Sequence, residues 1–384
     1  MDFDLDDSLT VLERTLREFA ATRVAPAAAR HDKEQSFPHE VVEEMKALGL
    51  FGLMIPERYG GAGLSTVAYT IAIEELSRAD AAVGLIMSVH NSVATYPILL
   101  YGSEGQRQRW LPSVASGERL GAFCLSEHGS GSDAQAMETT AVQGPGGGWR
   151  VSGTKMWVSN AEEAGLYIVF ARTPAFEEPG SARRSISAFI VPREAAGIRV
   201  TRKEDKLGVR ADDTCEVALT DVPLPEEALI GKPGEGFKIA MATLDGGRIG
   251  IGAQAVGIGR AAVEAAVEYA ALREQFGKKI GEFQAVQWKI ADAATRVEAA
   301  RLLVRQAAWR KDEGLAFTKE AAAAKLFAAT MCREVAREML QVFGGVGYTS
   351  DYPLERYYRD AKVTEIYEGT NEVQRMVLAR TALE

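Results

Sequence analysis

Residues Phe123-Cys-Leu-Ser-Glu-His-Gly-Ser-Gly-Ser-Asp133 mark the place where the sequence changes its pattern. Before this stretch, apolar residues recur every three or four positions, which is typical of amphipathic helices. After it, short runs rich in β-branched and aromatic residues predict strands. The stretch itself offers hydroxyl groups and backbone amides that suit the polar edge of a ligand, although Gly-Ser loops most often only turn the chain. It therefore divides a helical part of the chain from a sheet.

The sequence before this loop predicts an N-terminal all-α domain over residues 1–120. Apolar residues from Leu9 to Phe19 share one helical face. The segment 55–63 is rich in turn formers, and a longer helix is expected to start near Ser65.

Residues 121–232 are expected to form a middle β domain. Five runs predict strands, namely Trp149–Val151, Lys155–Val158, Leu166–Ala171, Ser187–Val191 and Thr214–Leu219. They follow one another too closely for crossover helices, so an antiparallel barrel or sandwich is expected rather than a dinucleotide-binding fold.

The helical pattern returns after residue 233 and predicts a C-terminal four-helix bundle over residues 233–384. Apolar residues from Val286 to Val304 share one face, and Ala321–Leu340 is rich in Ala and Leu. Gly250 and Gly257 lie inside the helical pattern, where each costs about 1 kcal/mol relative to Ala. Close approach of another backbone or of a ligand would compensate that cost. The fold class is therefore α+β with several domains.

Composition and charge exclude several classes of protein. The chain has 384 residues, of which 47% are hydrophobic and 25% charged, so collagen-like and broadly disordered chains are excluded. A net charge of −9 gives an acidic surface that does not attract a phosphate backbone, and no nucleic-acid partner is expected. The three cysteines and four histidines are scattered, so neither a disulfide framework nor a metal site is indicated.

The sequence also predicts no membrane association. The longest apolar candidate, Ala81–Val89, contains Gly84 and falls short of the roughly 18 to 20 residues that a spanning helix needs. The acidic N-terminus, with Asp2, Asp4 and Asp6, resembles neither a signal nor a transit peptide. For a bacterial chain, a cytoplasmic location is expected.

Four further motifs each allow two interpretations. In Lys155–Asn160, a Trp beside a Ser could face a planar cofactor, but a core Trp is favoured. In Leu244–Arg248, taken as the start of a helix, Arg248 could pair with a phosphate, but a surface arginine is favoured. Residues 273–277 and 341–347 are explained as helix ends closed by glycine.

The sixth motif, residues 366–375, leaves one residue unexplained. Gly369 frees the backbone, Thr370 suits a helix N-cap, and Glu372 suits the helix dipole. Glu368 has no such structural role. In an apolar pocket, desolvation would raise its pKa toward that of a working base.

Together the six motifs, in this order and spacing, resemble the acyl-CoA dehydrogenase family, most closely its short-chain (butyryl-type) members. Three of them carry the resemblance: Leu-Ser-Glu-x-Gly-x-Gly-Ser-Asp, Lys-x-Trp-x-Ser-Asn and Tyr-Glu-Gly-Thr. The resemblance runs over nearly the whole chain and agrees with the helix, sheet, helix order.

The resemblance implies FAD bound between the β domain and the bundle, in at least a dimer and commonly a dimer of dimers, that is, a homotetramer. The residues that match flavin-binding positions are Phe123, Leu125, Ser126, Ser132, Trp157, Ser159, Thr370 and Glu372. Those that match contacts to the neighbouring subunit's FAD are Arg273, Gln275, Phe276, Gln341 and Gly345.

The resemblance also implies the chemistry. Glu368 matches the catalytic base, which some relatives place at the position that is Gly247 here. Residues that match substrate-binding positions are Ser132, Asp245, Arg248, Tyr367 and Gly369. The implied reaction turns an acyl-CoA into a trans-2-enoyl-CoA and passes electrons to electron-transferring flavoprotein. An acyl-CoA oxidase and a catalytically silent acyl-CoA- or flavin-binding relative are the alternatives.

One segment bears on the acyl group. Leu85, Ile86 and Val89 fall in the region that lines the acyl pocket in the family. Their bulk predicts a preference for short or branched-short acyl groups.

Overall fold

The computed structural model describes residues 4–144, 146–177 and 185–383. The N-terminal helices are α1 (Asp7–Phe19), α2 (Ala25–Glu34), α3 (His39–Ala47), α4 (Thr66–Ala79), α5 (Ala81–Val89) and α6 (Glu104–Ala115). The side chain of Ser65 caps α4 by accepting a hydrogen bond from the backbone N–H of Ala68 at 3.1 Å. The prediction of a helix starting near Ser65 is therefore confirmed.

The apolar helix that begins at Ala81 is longer than predicted. π-helical turns at His90–Ala94 and Pro97–Tyr101 extend α5, so a helical segment of 21 residues runs over Ala81–Tyr101. By length and composition alone it is able to cross a membrane, which corrects the expectation that no segment reaches that length. In this fold 89% of its most apolar window is buried inside the protein. Core packing explains its apolar composition.

The middle of the chain forms one sheet. Its strands are β1 (Leu120–Cys124), β2 (Thr140–Gln143), β3 (Trp149–Val158), β4 (Ala164–Arg172), β5 (Ile186–Pro192), β6 (Ile198–Lys203), β7 (Cys215–Leu224) and β8 (Leu229–Ile230). The order is β6-β7-β3-β2-β4-β5-β8, with β1 beside β4. The expectation of a purely antiparallel sheet is wrong in one respect, because β1 and the first residue of β2 lie parallel to β4. The hairpin of β2 and β3 lies between β1 and β4 in the chain, so no crossover helix is needed.

The sheet joins two apolar cores. Leu166, Ile168 and Phe170 of β4 pack into the large core that the helices share. Tyr167 and Val169, which alternate with them, belong to a second core formed within the sheet. Because both faces of β4 are buried, this strand holds the sheet firmly against the helical parts.

The C-terminal part is helical. It contains α7 (Gly236–Leu272), α8 (Gln284–Asp312), α9 (Thr318–Phe343), α10 (Leu354–Val363) and α11 (Asn371–Leu383), with a small hairpin of β9 (Glu274–Gln275) and β10 (Lys278–Lys279) after α7. A Cβ on Gly257 would lie 2.9 Å from the Cβ of Ser77, so this glycine lets α4 approach α7 closely. The domain limits at residues 120/121 and 232/233 stay a prediction.

Candidate active site

Glu368 lies in the turn between α10 and α11. Its φ angle is +51° and that of Gly369 is +91°, so two successive residues are left-handed. For Glu368 this conformation costs about 1–2 kcal/mol. The carbonyl oxygen of Gly369 accepts hydrogen bonds from Gln374 Nε2 at 2.8 Å and from Lys325 Nζ at 2.9 Å. These two bonds hold the turn that carries Glu368.

The Glu368 carboxyl group is buried against α7. Both of its oxygens are buried and have no hydrogen-bond partner in the described part of the chain. A Cβ on Gly247 would lie 2.8 Å from Glu368 Cδ and 2.9 Å from Val93 Cγ1, so glycine leaves the room that this carboxyl group occupies. Burial raises the pKa of Glu368 to about 7, although the charges of Lys325 and Arg248 favour the ionised form. Such a carboxylate is able to accept a proton near neutral pH.

Two tyrosines cover α7 on either side of this position. A Cβ on Gly246 would lie 3.1 Å from Tyr96 Cε2, and one on Gly250 would lie 3.2 Å from Tyr69 Cζ. The hydroxyl groups of Tyr69 and Ser88 are hydrogen-bonded at 2.8 Å. The pKa of Tyr69 is raised by burial and further by the Glu368 charge. Aromatic rings therefore flank the space next to the carboxylate.

Arg248 is buried, with 4% of its surface exposed, so the favoured interpretation as a surface arginine is wrong. The expected helix start at this motif is also wrong, because α7 begins at Gly236 and these residues lie inside it. Arg248 Nη1 donates to Asp245 Oδ1 at 2.6 Å, and Thr318 Oγ1 donates to Asp245 Oδ2 at 2.6 Å. Arg248 Nε is buried without a partner among the described residues. The motif thus supplies a positive charge beside the Glu368 carboxylate.

Six of the residues predicted to contact the flavin lie on β1, in the loop that follows it, or at the end of β3. Phe123 is half-buried and meets Phe170 edge-on at 5.0 Å between ring centroids, and Leu125 is buried. The carbonyl oxygen of Ser126 accepts from the backbone N–H of Met156 at 2.9 Å, which joins the Gly-Ser loop to β3. Ser132 lies exposed farther along that loop.

Trp157 and Ser159 lie at the end of β3. Trp157 is 52% exposed, so the interpretation as a core tryptophan is wrong. The pairing of β3 with β7 shifts register between Lys155 and Val158, and Trp157 there has a φ of +55°, which turns its ring outward. Ser159 Oγ donates to Asp212 Oδ2 at 3.0 Å. A half-exposed tryptophan on left-handed backbone indicates a functional constraint.

A buried ion pair behind this loop was not singled out from the sequence. Lys155 Nζ contacts Glu127 Oε1 at 2.8 Å and the carbonyl oxygen of Leu125 at 3.0 Å. The Glu127 carboxylate also accepts from the backbone N–H groups of Glu138 and Thr139, at 2.6 and 3.0 Å. A lysine inside an otherwise apolar strand pattern was the available signal. The pair fixes both ends of the loop to β3.

Residues around the Glu368 turn have clear structural roles. Thr370 Oγ1 accepts from the backbone N–H of Val373 at 3.3 Å, which confirms the predicted cap. Glu372 is exposed and pairs with Arg375 at 3.3 Å. The hydroxyl of Tyr367 donates to Gln254 Oε1, which anchors the turn to α7.

The residues predicted to reach a neighbouring subunit lie on the surface and are not brought to Glu368 of the same chain. These are Arg273, Gln275, Phe276, Gln341 and Gly345, all exposed. The expected glycine-closed helix end at 273–277 is wrong, because α7 ends at Leu272 and the segment forms the hairpin of β9 and β10. Phe276 and Gly277, both left-handed, form its turn.

The chemistry of the flavin-side residues fits the FAD that the sequence implies. The half-exposed ring of Trp157 is a flat face against which an isoalloxazine is able to pack. Ser126 and Ser132 bring hydroxyl groups to the same loop. Beside Ser159, Asp212 Oδ1 is buried and has no partner among the described residues, so it is free to accept from a ribityl hydroxyl.

Comparisons with known proteins agree with this geometry. The chain matches the acyl-CoA dehydrogenase N-terminal domain over residues 6–118, the middle domain over 122–222 and the C-terminal domain over 234–383. It is 47% identical to the mitochondrial short-chain specific acyl-CoA dehydrogenase of Bos taurus, over 98% of this chain and 90% of that protein. Butyryl-CoA dehydrogenase from Megasphaera elsdenii has the same fold, with a TM-score of 0.97 and 40% identity over the full length of both chains.

Two further solved structures are similar. One, from work on the electron transferring flavoprotein of Acidaminococcus fermentans and flavin-based electron bifurcation, has 44% identity and a TM-score of 0.96 over the full length of both chains. The other is a glutaryl-CoA dehydrogenase from Mycobacterium smegmatis in complex with FADH2, with 30% identity and a TM-score of 0.92, covering 98% of this chain and 95% of that one. The helix–sheet–helix fold, the buried carboxyl group of Glu368 and these matches agree that the chain belongs to the acyl-CoA dehydrogenase family of FAD-dependent oxidoreductases.

Proposed function

We propose that this enzyme oxidises short or branched-short acyl-CoA thioesters to trans-2-enoyl-CoA, with Glu368 as the catalytic base. The observation that carries the proposal is the Glu368 carboxyl group, buried and unpartnered within the described residues, with a pKa raised to about 7 by burial. A structural carboxylate would have a hydrogen-bond or ion-pair partner at that depth.

The mechanism follows from what these residues do. The α-proton of a thioester is far too weakly acidic for a carboxylate in water, so the site must exclude water and stabilise the developing enolate. Glu368 takes this proton, and we assign the thioester oxygen to its backbone amide. Bound FAD supplies the acceptor for the hydride that leaves the β-carbon. The walls of Val93, Tyr69 and α7 keep water from the carboxylate.

The binding roles implied by the sequence are part of the proposal. FAD is assigned to Phe123, Leu125, Ser126, Ser132, Trp157, Ser159, Thr370 and Glu372, and, from a neighbouring subunit, to Arg273, Gln275, Phe276, Gln341 and Gly345. The CoA thioester is assigned to Ser132, Asp245, Arg248, Tyr367 and Gly369. We propose a homotetramer in the cytoplasm that passes electrons to electron-transferring flavoprotein, and the similarity to a chain studied with such a flavoprotein supports that partner.

The short acyl preference is supported by the side chains around Glu368. Tyr96 and Val93 pack against Gly246 and Gly247 on α7, next to the carboxylate, and their bulk favours a short acyl chain. Leu85, Ile86 and Val89 are buried in α5. Their burial alone does not determine which acyl chain length is preferred. A kinetic series from butyryl-CoA to palmitoyl-CoA tests the preference. We expect kcat/KM to fall at least ~10-fold toward palmitoyl-CoA, and an optimum at dodecanoyl-CoA or longer would contradict it.

Anaerobic titration with butyryl-CoA tests the reaction itself. We expect the flavin absorbance of the wild-type enzyme to bleach. Glu368→Gln keeps the shape of the side chain but cannot accept the proton, so it should bind FAD and not bleach. Bleaching of the variant would place the base elsewhere. No bleaching of the wild type with any acyl-CoA would favour a silent relative, and fast reoxidation by oxygen would favour an oxidase.

A further inference from the structure

Lys325, on α9, is a buried lysine that points at the turn carrying Glu368. Its surface is 0% exposed, and Nζ donates to the carbonyl oxygen of Gly369 at 2.9 Å and to Asn371 Oδ1 at 3.4 Å. Within the described ranges no carboxylate oxygen lies within 4 Å of it. A buried ammonium group without a close counter-ion is costly. Its presence here therefore calls for a role beyond packing.

Lys325 holds the backbone of the turn that carries Glu368. Glu368 and Gly369 are both left-handed, and the carbonyl oxygen of Gly369 has two donors, Lys325 Nζ and Gln374 Nε2. Both donors are buried. Because the peptide group between Gly369 and Thr370 is held by two donors, the turn is fixed and the Glu368 side chain is directed at the space over Gly247.

Building on the proposed function, we propose that Lys325 is a positioning residue for Glu368, holding the Gly369 carbonyl group and supplying a buried positive charge that favours the ionised base. It touches neither the carboxylate nor, in our assignment, the substrate. It acts through the turn and through its charge.

The charges around Glu368 support this role. Lys325 faces it from α9 and Arg248 from α7, while the hydroxyl groups of Tyr69 and Tyr367 lie in its field from α4 and from its own turn. Burial raises the pKa of Glu368. Two positive charges oppose this effect, and that of Lys325 lowers the pKa more than that of Arg248. Arg248 is already paired with Asp245 at 2.6 Å. Of these two cations, Lys325 is therefore the one that has no carboxylate oxygen within 4 Å among the described residues.

The charged forms of Lys325 and Glu368 favour each other. Burial lowers its pKa to about 7, and the Glu368 carboxylate favours its charged form. Arg248 opposes that charge, whereas Glu365 and Glu372 favour it. Removing the ammonium group should therefore make Glu368 harder to ionise.

Three substitutions at this position test the role of the charge, with and without a hydrogen-bond donor. Lys325→Met removes the donor and the charge, Lys325→Gln keeps a donor without the charge, and Lys325→Arg keeps both. Lys319→Met is the matched control, because Lys319 is exposed on the same helix. Each holoenzyme is assayed with butyryl-CoA across pH for kcat and KM, and thermal unfolding verifies the fold.

We expect the acidic limb of the kcat profile to move to higher pH by about one unit in the Met and Gln variants. The Arg and control variants should stay near wild type, with KM changed less than ~3-fold in all. A base whose pKa rises one unit from about 7 is ionised to roughly a tenth rather than a half at pH 7, which is an about fivefold loss of kcat.

Infrared titration of the substrate-free enzyme gives a readout that does not depend on turnover. The carboxylic C=O band that disappears in Glu368→Gln reports the protonated base, and its midpoint should rise in Lys325→Gln. If the wild type oxidises no short or branched-short acyl-CoA, the proposed function fails while this shift still tests Lys325. An acidic limb and midpoint unchanged in both neutral variants would overturn the proposal. So would failure of both to fold, because Lys325 would then serve the whole fold.

Discussion

Gly247 has only a hydrogen atom where any other residue would place a carbon atom against Glu368. A Cβ there would lie 2.8 Å from Glu368 Cδ, so we predict that Gly247→Ala displaces the carboxyl group and lowers kcat about 100-fold. Gly105→Ala is the control, since its Cβ would meet only Ser103 Oγ at 3.9 Å. A Gly247→Ala enzyme with wild-type kcat and an intact fold would show that the carboxylate does not need this place.

Single residues differ in how far the sequence reveals them. Glu368 could be singled out because its neighbours Gly369 and Thr370 have structural roles and it has none, whereas its role as the base rests on the family resemblance. Lys325 was not singled out, since a lysine in an alanine-rich helix is normally solvated. Its signal was its face: Ala321, Ala328 and Cys332 follow the same helical spacing, so a lysine among them points inward. Arg248 was misjudged for a different reason, because a helix buried all round has no polar face to assign.

The positions of the helices and strands were predicted better than the pairing of the strands. The runs 149–151 and 155–158 are both strand, but they form the single strand β3 with register shifts against β7. Such a shift depends on which residues of β7 lie opposite, and local sequence does not carry that information. The parallel pairing of β1 with β4 was missed likewise, because it joins segments about 45 residues apart, beyond the reach of local sequence pattern.

At the level of elements, the ion pair between Lys155 and Glu127 should hold the flavin-side loop to β3. Lys155→Met leaves the Glu127 carboxylate buried without a cation, at a cost of about 3–5 kcal/mol. We predict a melting temperature lower by about 5 °C or more together with weaker FAD retention. Arg150→Met on the same strand is the control, because its pair with Asp221 is exposed and worth about 1 kcal/mol at most. Equal melting temperatures for the two variants would contradict the prediction.

The same ion pair predicts an acid limit for the loop. Desolvation raises the pKa of Glu127, but the charge and hydrogen bond of Lys155, together with the hydrogen bonds from Thr139 and Glu138, lower it below its ordinary value. A lowered folded-state pKa means that the stabilisation is present above the ordinary value and is lost as the pH falls through the folded-state pKa. We therefore expect wild-type stability to decline on acidification below about pH 4.5, and Lys155→Met to lose this part of the decline. Parallel pH series of melting temperatures check it.

In the whole molecule, the site depends on segments that are far apart in the sequence. Glu368 comes from the turn before α11, Gly247 from α7, Val93 from the helix over Ala81–Tyr101, and Lys325 from α9. Local patterns predicted each helix, but only packing of the N-terminal helices onto α7 brings Val93 to the carboxylate. The order of the parts was therefore predictable, and the shape of the acyl space was not.

The exposed hairpin after α7 bears on the proposed assembly. Phe276 is 95% exposed at its tip, an unfavourable place for an aromatic ring unless another molecule covers it. If it covers a neighbouring subunit's FAD in a homotetramer, Phe276→Ala should weaken FAD binding about 10- to 100-fold and leave the melting temperature of the FAD-free protein unchanged. Val11→Ala, at an exposed position on α1, is the control. Sedimentation should give a tetramer for the wild type, and wild-type FAD affinity in Phe276→Ala would remove this residue from the shared site.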